Sequence, residues 1–135
     1  GDKLKQAIDK NMKLVNLENE LHQIVNTFSG GMKRRLSLAI TLLSNPNLII
    51  LDEPTVGIDP SLRKDIWKPL NLLTEENKSV IVTTHVMGEA ERCDYIGLIM
   101  EGRLFTMGTP KELKEKFGVN SIEEVFIKAE TEAQS

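Results

Sequence analysis

The sequence predicts an α/β fold in which mostly parallel, buried strands are flanked by helices. Two apolar runs, Leu48–Leu51 and Ser79–Thr84, have the length and composition of strands that are covered on both faces of a parallel sheet. A helix that begins at Asp59-Pro60 lies between them, with Asp59 as its N-cap and Pro60 at the first helical position. Pro69 is expected to kink or interrupt that helix, because proline removes a backbone donor.

Further elements follow from apolar spacing and capping residues. Helices are predicted over 2–15, 29–44 and 87–92, and Asn16–Thr27 reads as a short helix or a loop. Tyr95–Met100 predicts a third strand, with Arg103–Met107 as its hairpin partner. Thr109–Glu112 and Ser121–Glu124 have the pattern of capping boxes that open helices. Lys128–Ser135 is polar and is expected to fray.

Composition sets limits on the class of protein. The chain has 135 residues, 40 % apolar and 27 % charged, as expected for at most one globular domain. A net charge of −3 disfavours nucleic acid or an anionic membrane as the main partner. The single cysteine, Cys93, excludes an internal disulfide and fits a reducing compartment. No apolar run approaches the roughly 18 residues that span a bilayer, and residues 1–4 lack the apolar core of a secretory signal, so any membrane role is expected to act through a partner.

The segment Ser29-Gly30-Gly31-Met32 is the first candidate binding site. Two glycines remove side-chain bulk, so backbone N–H groups at a helix start could approach a phosphate closely. The hydroxyl of Ser29 could donate to a phosphate oxygen. Taken alone, the pattern favours the simpler interpretation that Ser29 only caps a helix.

Asp52 and Glu53 end the first buried strand, at the edge where open α/β sheets bind ligands. Successive strand side chains point in opposite directions, so one carboxylate could hold Mg²⁺ through water while the other polarises an attacking water. The alternative is a solvated strand end before the turn at Pro54. Parallel strands would bring His85 near these carboxylates, where it could contact a terminal phosphate, although a lone histidine is more often a partly buried structural residue.

Other polar and aromatic residues receive structural interpretations. Lys33, Arg34 and Arg35 could suggest nucleic acid, but three charges on a first helical turn more often form a solvated face. Trp67 is assigned to helix packing and Cys93 to the core.

Together these segments resemble the ATP-binding cassette (ABC) family. Phe28–Met32 is similar to its signature motif, Leu48–Glu53 to the Walker B strand with the catalytic glutamate, Gly57–Asp59 to the D-loop, and His85 to the switch histidine. Phe28 and Met32 stand where many members carry leucine and glutamine. Gly102-Arg103, Gly108–Leu113 and Ile122–Phe126 resemble bacterial drug, lipid or polysaccharide exporters and the eukaryotic lipid-exporter subfamily.

The resemblance implies a partial P-loop NTPase core and a head-to-tail dimer of cassettes. Ser29, Gly30, Gly31 and Met32 would contact ATP held by the partner cassette, and Asp59 would act at the nucleotide across the subunit boundary. In the chain's own site, Glu53 would be the general base, His85 the γ-phosphate contact and Asp52 the Mg²⁺ residue. A transmembrane permease would place the protein at the cytoplasmic face of a membrane, with no nucleic acid as partner.

The resemblance also implies a division of the chain. Residues 1–45 would end the helical subdomain, 46–118 would form the C-terminal part of the ATPase core, and 119–135 would be a C-terminal extension. The phosphate-binding pattern G-x-x-x-x-G-K-[ST] does not occur in the sequence, so the fragment is expected to be inactive alone.

Two other functions remain open at this point. One is an ABC ATPase of DNA repair or chromosome maintenance, which sustained heptads would support and this sequence lacks. The other is a non-catalytic binding module that engages a partner cassette through Ser29–Met32.

Overall fold

A computed structural model describes all residues from 1 to 135 and divides them into two compact units, Gly1–Thr83 and Thr84–Ser135. The first unit contains helices α1 (Asp2–Leu14), α2 (Gly30–Leu42) and α3 (Lys64–Glu75) with strands β1 (Leu48–Asp52) and β2 (Ser79–Thr83). The second contains strands β3 (Ile96–Met100) and β4 (Arg103–Gly108) with helices α4 (Met87–Ala90), α5 (Pro110–Phe117) and α6 (Ile122–Ala133). The predicted α/β class is confirmed, and no helix is long and apolar enough to cross a bilayer.

The central feature of the first unit is a parallel strand pair. β1 and β2 run side by side in a register that places Leu48 opposite Ser79 and Asp52 opposite Thr83. Because the strands are parallel, their carboxyl ends meet at one edge. Ile49 is buried, whereas Ile50 and Ile81 are 65 % and 51 % exposed, so the described residues cover one face of the pair rather than the expected two.

The α3 helix packs against β2, and α1 packs against α2. Asn16–Thr27, predicted as a short helix or loop, contains two single 3-10 turns. The guanidinium of Arg35 donates to the carbonyls of Val15 and Asn16 at 3.3 and 3.2 Å. This pair of bonds ties α2 to the end of α1, so Arg35 is not part of a merely solvated face.

The α3 helix runs through Pro69, so of the predicted kink or interruption the interruption is wrong. Proline in a helix interior costs about 3 kcal/mol because it removes a backbone donor and crowds the preceding turn. Pro69 is fully buried, and Ile66 and Leu70 beside it are also buried, so packing offsets this cost. Trp67 lies in the same core at 4 % exposure, as predicted, with its indole N–H buried and without a hydrogen-bond partner.

The second unit is an antiparallel hairpin packed with two helices. β3 and β4 pair with a bulge between Leu98 and Ile99. Thr109 and Glu112 form the predicted reciprocal capping box, and Gly118 ends α5 with φ at +62°, the left-handed position that glycine favours. The core of this unit is apolar and draws on α4, β3, α5 and α6; its buried members are Ala90, Ile96, Leu98, Leu113, Phe117, Ile122, Val125 and Ala129.

The C-terminal helix is longer than the sequence suggests. α6 continues to Ala133, so the fraying predicted from Lys128 onward is wrong. Ala129 is fully buried, and the ammonium of Lys128 donates to the Phe117 carbonyl at 2.9 Å. At the other end, Ser121 caps the helix by accepting from the Glu124 N–H, while the Glu124 carboxylate accepts from the N–H of Asn120 rather than of Ser121.

Glu91 fastens the start of α6 to the rest of the second unit. Its carboxylate accepts from the Ile122 N–H at 2.8 Å and from the Lys114 ammonium at 3.0 Å. These two donors, the backbone N–H first, hold the pKa of Glu91 below its ordinary value. A lowered pKa means that the stabilisation is fully present above the unfolded-state pKa and is lost as the pH falls through the folded-state pKa.

We therefore predict that Glu91→Gln lowers the free energy of unfolding of the second unit by about 1 kcal/mol at pH 6, since glutamine keeps an acceptor but loses the charge. Amide hydrogen exchange at Val125 and Ala129 measures this. The difference from wild type shrinks toward pH 3, where the wild-type carboxyl is also neutral. The control is Glu115→Gln, which removes an exposed pair with Lys111 at 4.0 Å and should change little. Equal effects of both variants would contradict the role of Glu91.

Candidate functional site

The N-terminus of α2 is built by Ser29. This residue is the N-cap, in extended conformation, and its hydroxyl oxygen accepts from the Met32 N–H at 3.2 Å. The capping interpretation is therefore correct, and it leaves the hydroxyl hydrogen available to donate outward. The N–H groups of Gly30 and Gly31 belong to the first helical turn, where no preceding turn supplies acceptors.

Neither glycine in this turn is required by the fold itself. Both lie in α2 with ordinary helical backbone, and a Cβ added to Gly30 or Gly31 would meet no atom within 4 Å. Glycine in a helix is less stable than alanine by roughly 0.5–1 kcal/mol, so two of them at one helix start weaken the fold. The open space beside them is what close approach of an external group to the backbone requires.

The carboxyl end of the strand pair is organised by Thr83. Its hydroxyl donates to the Asp52 carboxylate and accepts from the Glu53 N–H at 3.1 Å. The Glu53 N–H also donates to the Thr83 carbonyl at 3.0 Å. Thr83 therefore holds the Asp52 carboxylate and the Glu53 backbone from the neighbouring strand.

The backbone of Glu53 is strained. Its φ is +47°, in the left-handed region, which costs a residue with a side chain about 1–2 kcal/mol. Besides the bonds of its N–H, its carbonyl accepts from the Val56 N–H and from the Arg34 guanidinium, each at 3.2 Å. Strain that is held by surrounding hydrogen bonds is typical of functional positions.

The segment after the carboxylates also turns sharply. Gly57 has φ at +77°, a conformation that favours glycine, and Thr55 and Ile58 on either side of it are buried. Asp59 stands at the N-cap position before Pro60, as predicted, but its side chain makes no capping hydrogen bond and is exposed. Its carboxylate is thus presented to solvent rather than used by the helix.

His85 belongs to the second unit, two residues after Thr83 in the sequence, and its side chain is exposed. The turn that carries it is fixed by Thr84, whose hydroxyl accepts from the Val86 N–H at 3.0 Å and donates to the Glu89 carboxylate at 3.2 Å. Glu89 is 3 % exposed and lies in the first turn after the N-cap Val86. The exposure of His85 does not fit the simpler interpretation of a partly buried structural histidine.

The donor set suits one kind of metal ion. No three or more histidine, cysteine or acidic residues are grouped so that they could hold a metal ion together. Mg²⁺ keeps several waters and needs only one or two carboxylates together with substrate phosphates. The exposed Asp52 at the strand end fits that requirement.

The contacts of three polar residues in this region are not predicted by the sequence. Thr83 and Arg34 hydrogen-bond to Glu53, which is about 30 and 19 residues away in the chain, so no local pattern indicates these bonds. Arg34 also corrects the expectation of a merely solvated basic face. Glu89 shows a weak signal only, as an acidic residue in the first turn of a short helix.

Gly31 and Gly57 differ in backbone conformation, so replacing each with alanine should change stability in opposite directions. Gly31→Ala should raise the free energy of unfolding of the first unit by about 0.5–1 kcal/mol, because the helix gains and nothing clashes. Gly57→Ala should lower it by at least about 1 kcal/mol, because its φ of +77° is strained for alanine. Urea unfolding followed by the fluorescence of the single tryptophan, Trp67, reports this unit. A destabilising Gly31→Ala would contradict the reading that the fold does not need this glycine.

Comparisons with known proteins agree with these features. The profile of the family described as ABC transporter matches residues 2–56. ABC transporter A family member 4 of Arabidopsis thaliana is 43 % identical over 121 residues, which is 87 % of this chain and 13 % of that protein. ABC transporter G family member 20 of Dictyostelium discoideum is 39 % identical over 127 residues, which is 94 % of this chain and 17 % of that protein. The chain thus spans less than a fifth of the length of these relatives.

Solved structures share the fold. One is an ATP-binding subunit of an ABC transporter, which is 26 % identical and has a TM-score of 0.80. The match covers 96 % of this chain and 55 % of the chain in that structure. Another is cbiO1 of Clostridium perfringens, which is part of the ABC transporter complex cbiONQ. It is 31 % identical with a TM-score of 0.77, and the match covers 85 % of this chain and 47 % of the chain in that structure. The signature-like helix start, the strand ending in two carboxylates, the relatives and the shared fold together show that the chain belongs to the ABC transporter family, as part of an ATP-binding domain.

Proposed function

We propose that the chain is the C-terminal part of the ATP-binding subunit of an ABC transporter, and that this subunit couples ATP binding and hydrolysis to substrate export. The observation that carries this proposal is the strand end of the first unit, where Thr83 holds Asp52 and a strained Glu53 in fixed positions. Such an arrangement places two adjacent acidic residues at the edge of the sheet where α/β proteins bind ligands.

Glu53 is the proposed general base. A carboxylate at this position accepts a proton from the water that attacks the terminal phosphate, and His85 contacts that phosphate and orients the water. Asp52 would hold Mg²⁺ through water, and the ion when bound would neutralise charge on the phosphate oxygens. The contribution of the chain is positioning, which is the main protein contribution to phosphoryl transfer in general.

The start of α2 is proposed to act on a second nucleotide. Ser29 offers a hydroxyl donor, and Gly30, Gly31 and Met32 contribute the backbone of a helix start that favours anions. The space beside both glycines would admit ATP bound by a partner cassette in a head-to-tail dimer. Asp59, exposed and not used as a cap, would act at the nucleotide across the same subunit boundary.

A permease partner would connect this chemistry to a membrane. We infer a peripheral position at the cytoplasmic face, because the relatives and the cbiO1 structure are described as transporters or parts of a transporter complex. The direction of export rests on the resemblance of Gly102-Arg103, Gly108–Leu113 and Ile122–Phe126 to exporter cassettes.

The chain alone is proposed to be inactive. The phosphate-binding pattern G-x-x-x-x-G-K-[ST] does not occur in its 135 residues, and in P-loop proteins that loop supplies most of the contacts to the β- and γ-phosphates. Turnover therefore requires a complete cassette.

The proposed function is tested with Glu53→Gln in the full-length transporter that carries this chain. Loss of the general base should lower kcat for ATP hydrolysis by about 10²–10⁴-fold, while ATP binding is retained because the nucleotide contacts remain. Steady-state hydrolysis and equilibrium binding of labelled ATP measure the two properties. The matched control is Glu115→Gln, an exposed glutamate on α5, which should keep wild-type kcat. Wild-type hydrolysis by the Glu53→Gln transporter would refute the assignment.

A further inference from the structure

Arg34 joins two parts of the first unit that the proposed function assigns to different nucleotides. It lies on α2 just after the turn that begins with Ser29, and its guanidinium Nη1 donates to the Glu53 carbonyl oxygen at 3.2 Å. Its neighbour Arg35 instead reaches the end of α1. The two neighbouring arginines at the start of α2 therefore have different partners, and only Arg34 reaches the residue that follows β1.

The hydrogen bond from Arg34 reaches the carbonyl of Glu53, a residue whose backbone is held on both sides of its Cα. Glu53 has φ at +47°, and its N–H is fixed by the carbonyl and hydroxyl of Thr83. Its carbonyl is fixed by the Val56 N–H and by Arg34. A charged donor makes a stronger hydrogen bond than a neutral one, so Arg34 is well suited to hold this peptide. The Cα of Glu53 lies between its held N–H and its held carbonyl, so the direction of its Cβ depends on the contacts on both sides.

We propose that Arg34 is a positioning residue that couples the start of α2 to the orientation of the Glu53 carboxylate. This inference rests on the proposed function, in which Ser29–Met32 contact ATP of the partner cassette and Glu53 acts on ATP of the chain's own site. A shift of α2 when the partner's ATP arrives would move the Arg34 donor and with it the Glu53 peptide. Binding at one nucleotide site would thereby adjust the chemistry at the other.

The coupling has a defined physical form. The connection is one side chain between two main-chain segments, so it needs no rearrangement of the core. Equilibrium coupling is reciprocal, and the geometry of the Glu53 turn should therefore also affect the affinity of the α2 start for phosphate.

The first test uses the 135-residue chain and no nucleotide. In Arg34→Met the amides of Glu53 and Val56 should exchange with solvent hydrogen about tenfold faster than in wild type, because the turn loses one of its supports. Arg34→Lys should restore part of the protection. Lys33→Met removes a neighbouring charge from the same helix turn and should leave both amides unchanged. Exchange in Arg34→Met within twofold of wild type, with Trp67 fluorescence showing an intact fold, would overturn the inference.

The second test uses the full-length transporter. Arg34→Met should lower kcat for ATP hydrolysis about tenfold with the KM for ATP within twofold, because it misplaces a reacting group without removing a nucleotide contact. Arg34→Lys should recover part of kcat, and Lys33→Met should match wild type. A loss of kcat in Lys33→Met equal to that in Arg34→Met, or a change in KM alone, would overturn the coupling.

The two tests separate two kinds of failure. A wild-type transporter that does not hydrolyse ATP would refute the proposed function, and amide exchange would still decide whether Arg34 holds the Glu53 peptide.

Discussion

The candidate site depends on two hydrogen bonds of the Thr83 hydroxyl. This hydroxyl lies at the end of β2, and it donates to the Asp52 carboxylate at the end of β1 and accepts from the Glu53 N–H. The parallel register makes this possible, because it places Thr83 directly opposite Asp52 at the carboxyl end of the pair. Without that register, two adjacent acidic residues after an apolar run would be only a solvated strand end.

The turn at Glu53, which directly follows the end of β1, has a strained backbone. Glu53 leaves the strand with φ at +47°, and the hydrogen bonds to Thr83, Val56 and Arg34 compensate for this conformation. These contacts hold the backbone of Glu53 and thereby set the direction in which its side chain leaves the turn. Positioning of this kind is what proteins in general contribute most to phosphoryl transfer, so the proposed function gives a physical reason for the strain.

The start of α2 follows a different design from the strand end. Ser29 satisfies one N–H of the first turn, whereas the two glycines lower the stability of the helix and leave the backbone accessible. One part of the first unit is therefore tightly bonded internally, and the other is left open. This contrast suits a surface that is completed by a partner and an edge that is already complete in itself.

Local sequence patterns predicted most elements but not the contacts between them. Apolar runs gave β1 and β2 nearly to the residue, and the Thr109 capping box gave the start of α5. Pro69 was misjudged because burial in the core offsets a local backbone cost. The end of α6 was misjudged because the burial of Ala129 and the bond of Lys128 to Phe117 depend on the tertiary fold.

The candidate site shows the same limit. Ser29, Asp52 and Glu53 are readable because their spacing relative to apolar runs is local. Thr83 and Arg34 are not, because each acts on residues far away in the chain, and only the strand register and the position of α2 bring them there.

Under the proposed function, this chain positions catalytic groups around ATP that is bound mainly by other residues. Calorimetric titration of MgATP into the purified 135-residue chain tests it most directly. We expect no saturable heat from a chain whose Trp67 fluorescence and dispersed amide spectrum show that it is folded. Saturable binding at micromolar affinity would refute the proposed division of the site, because these residues would then hold the nucleotide without a phosphate-binding loop.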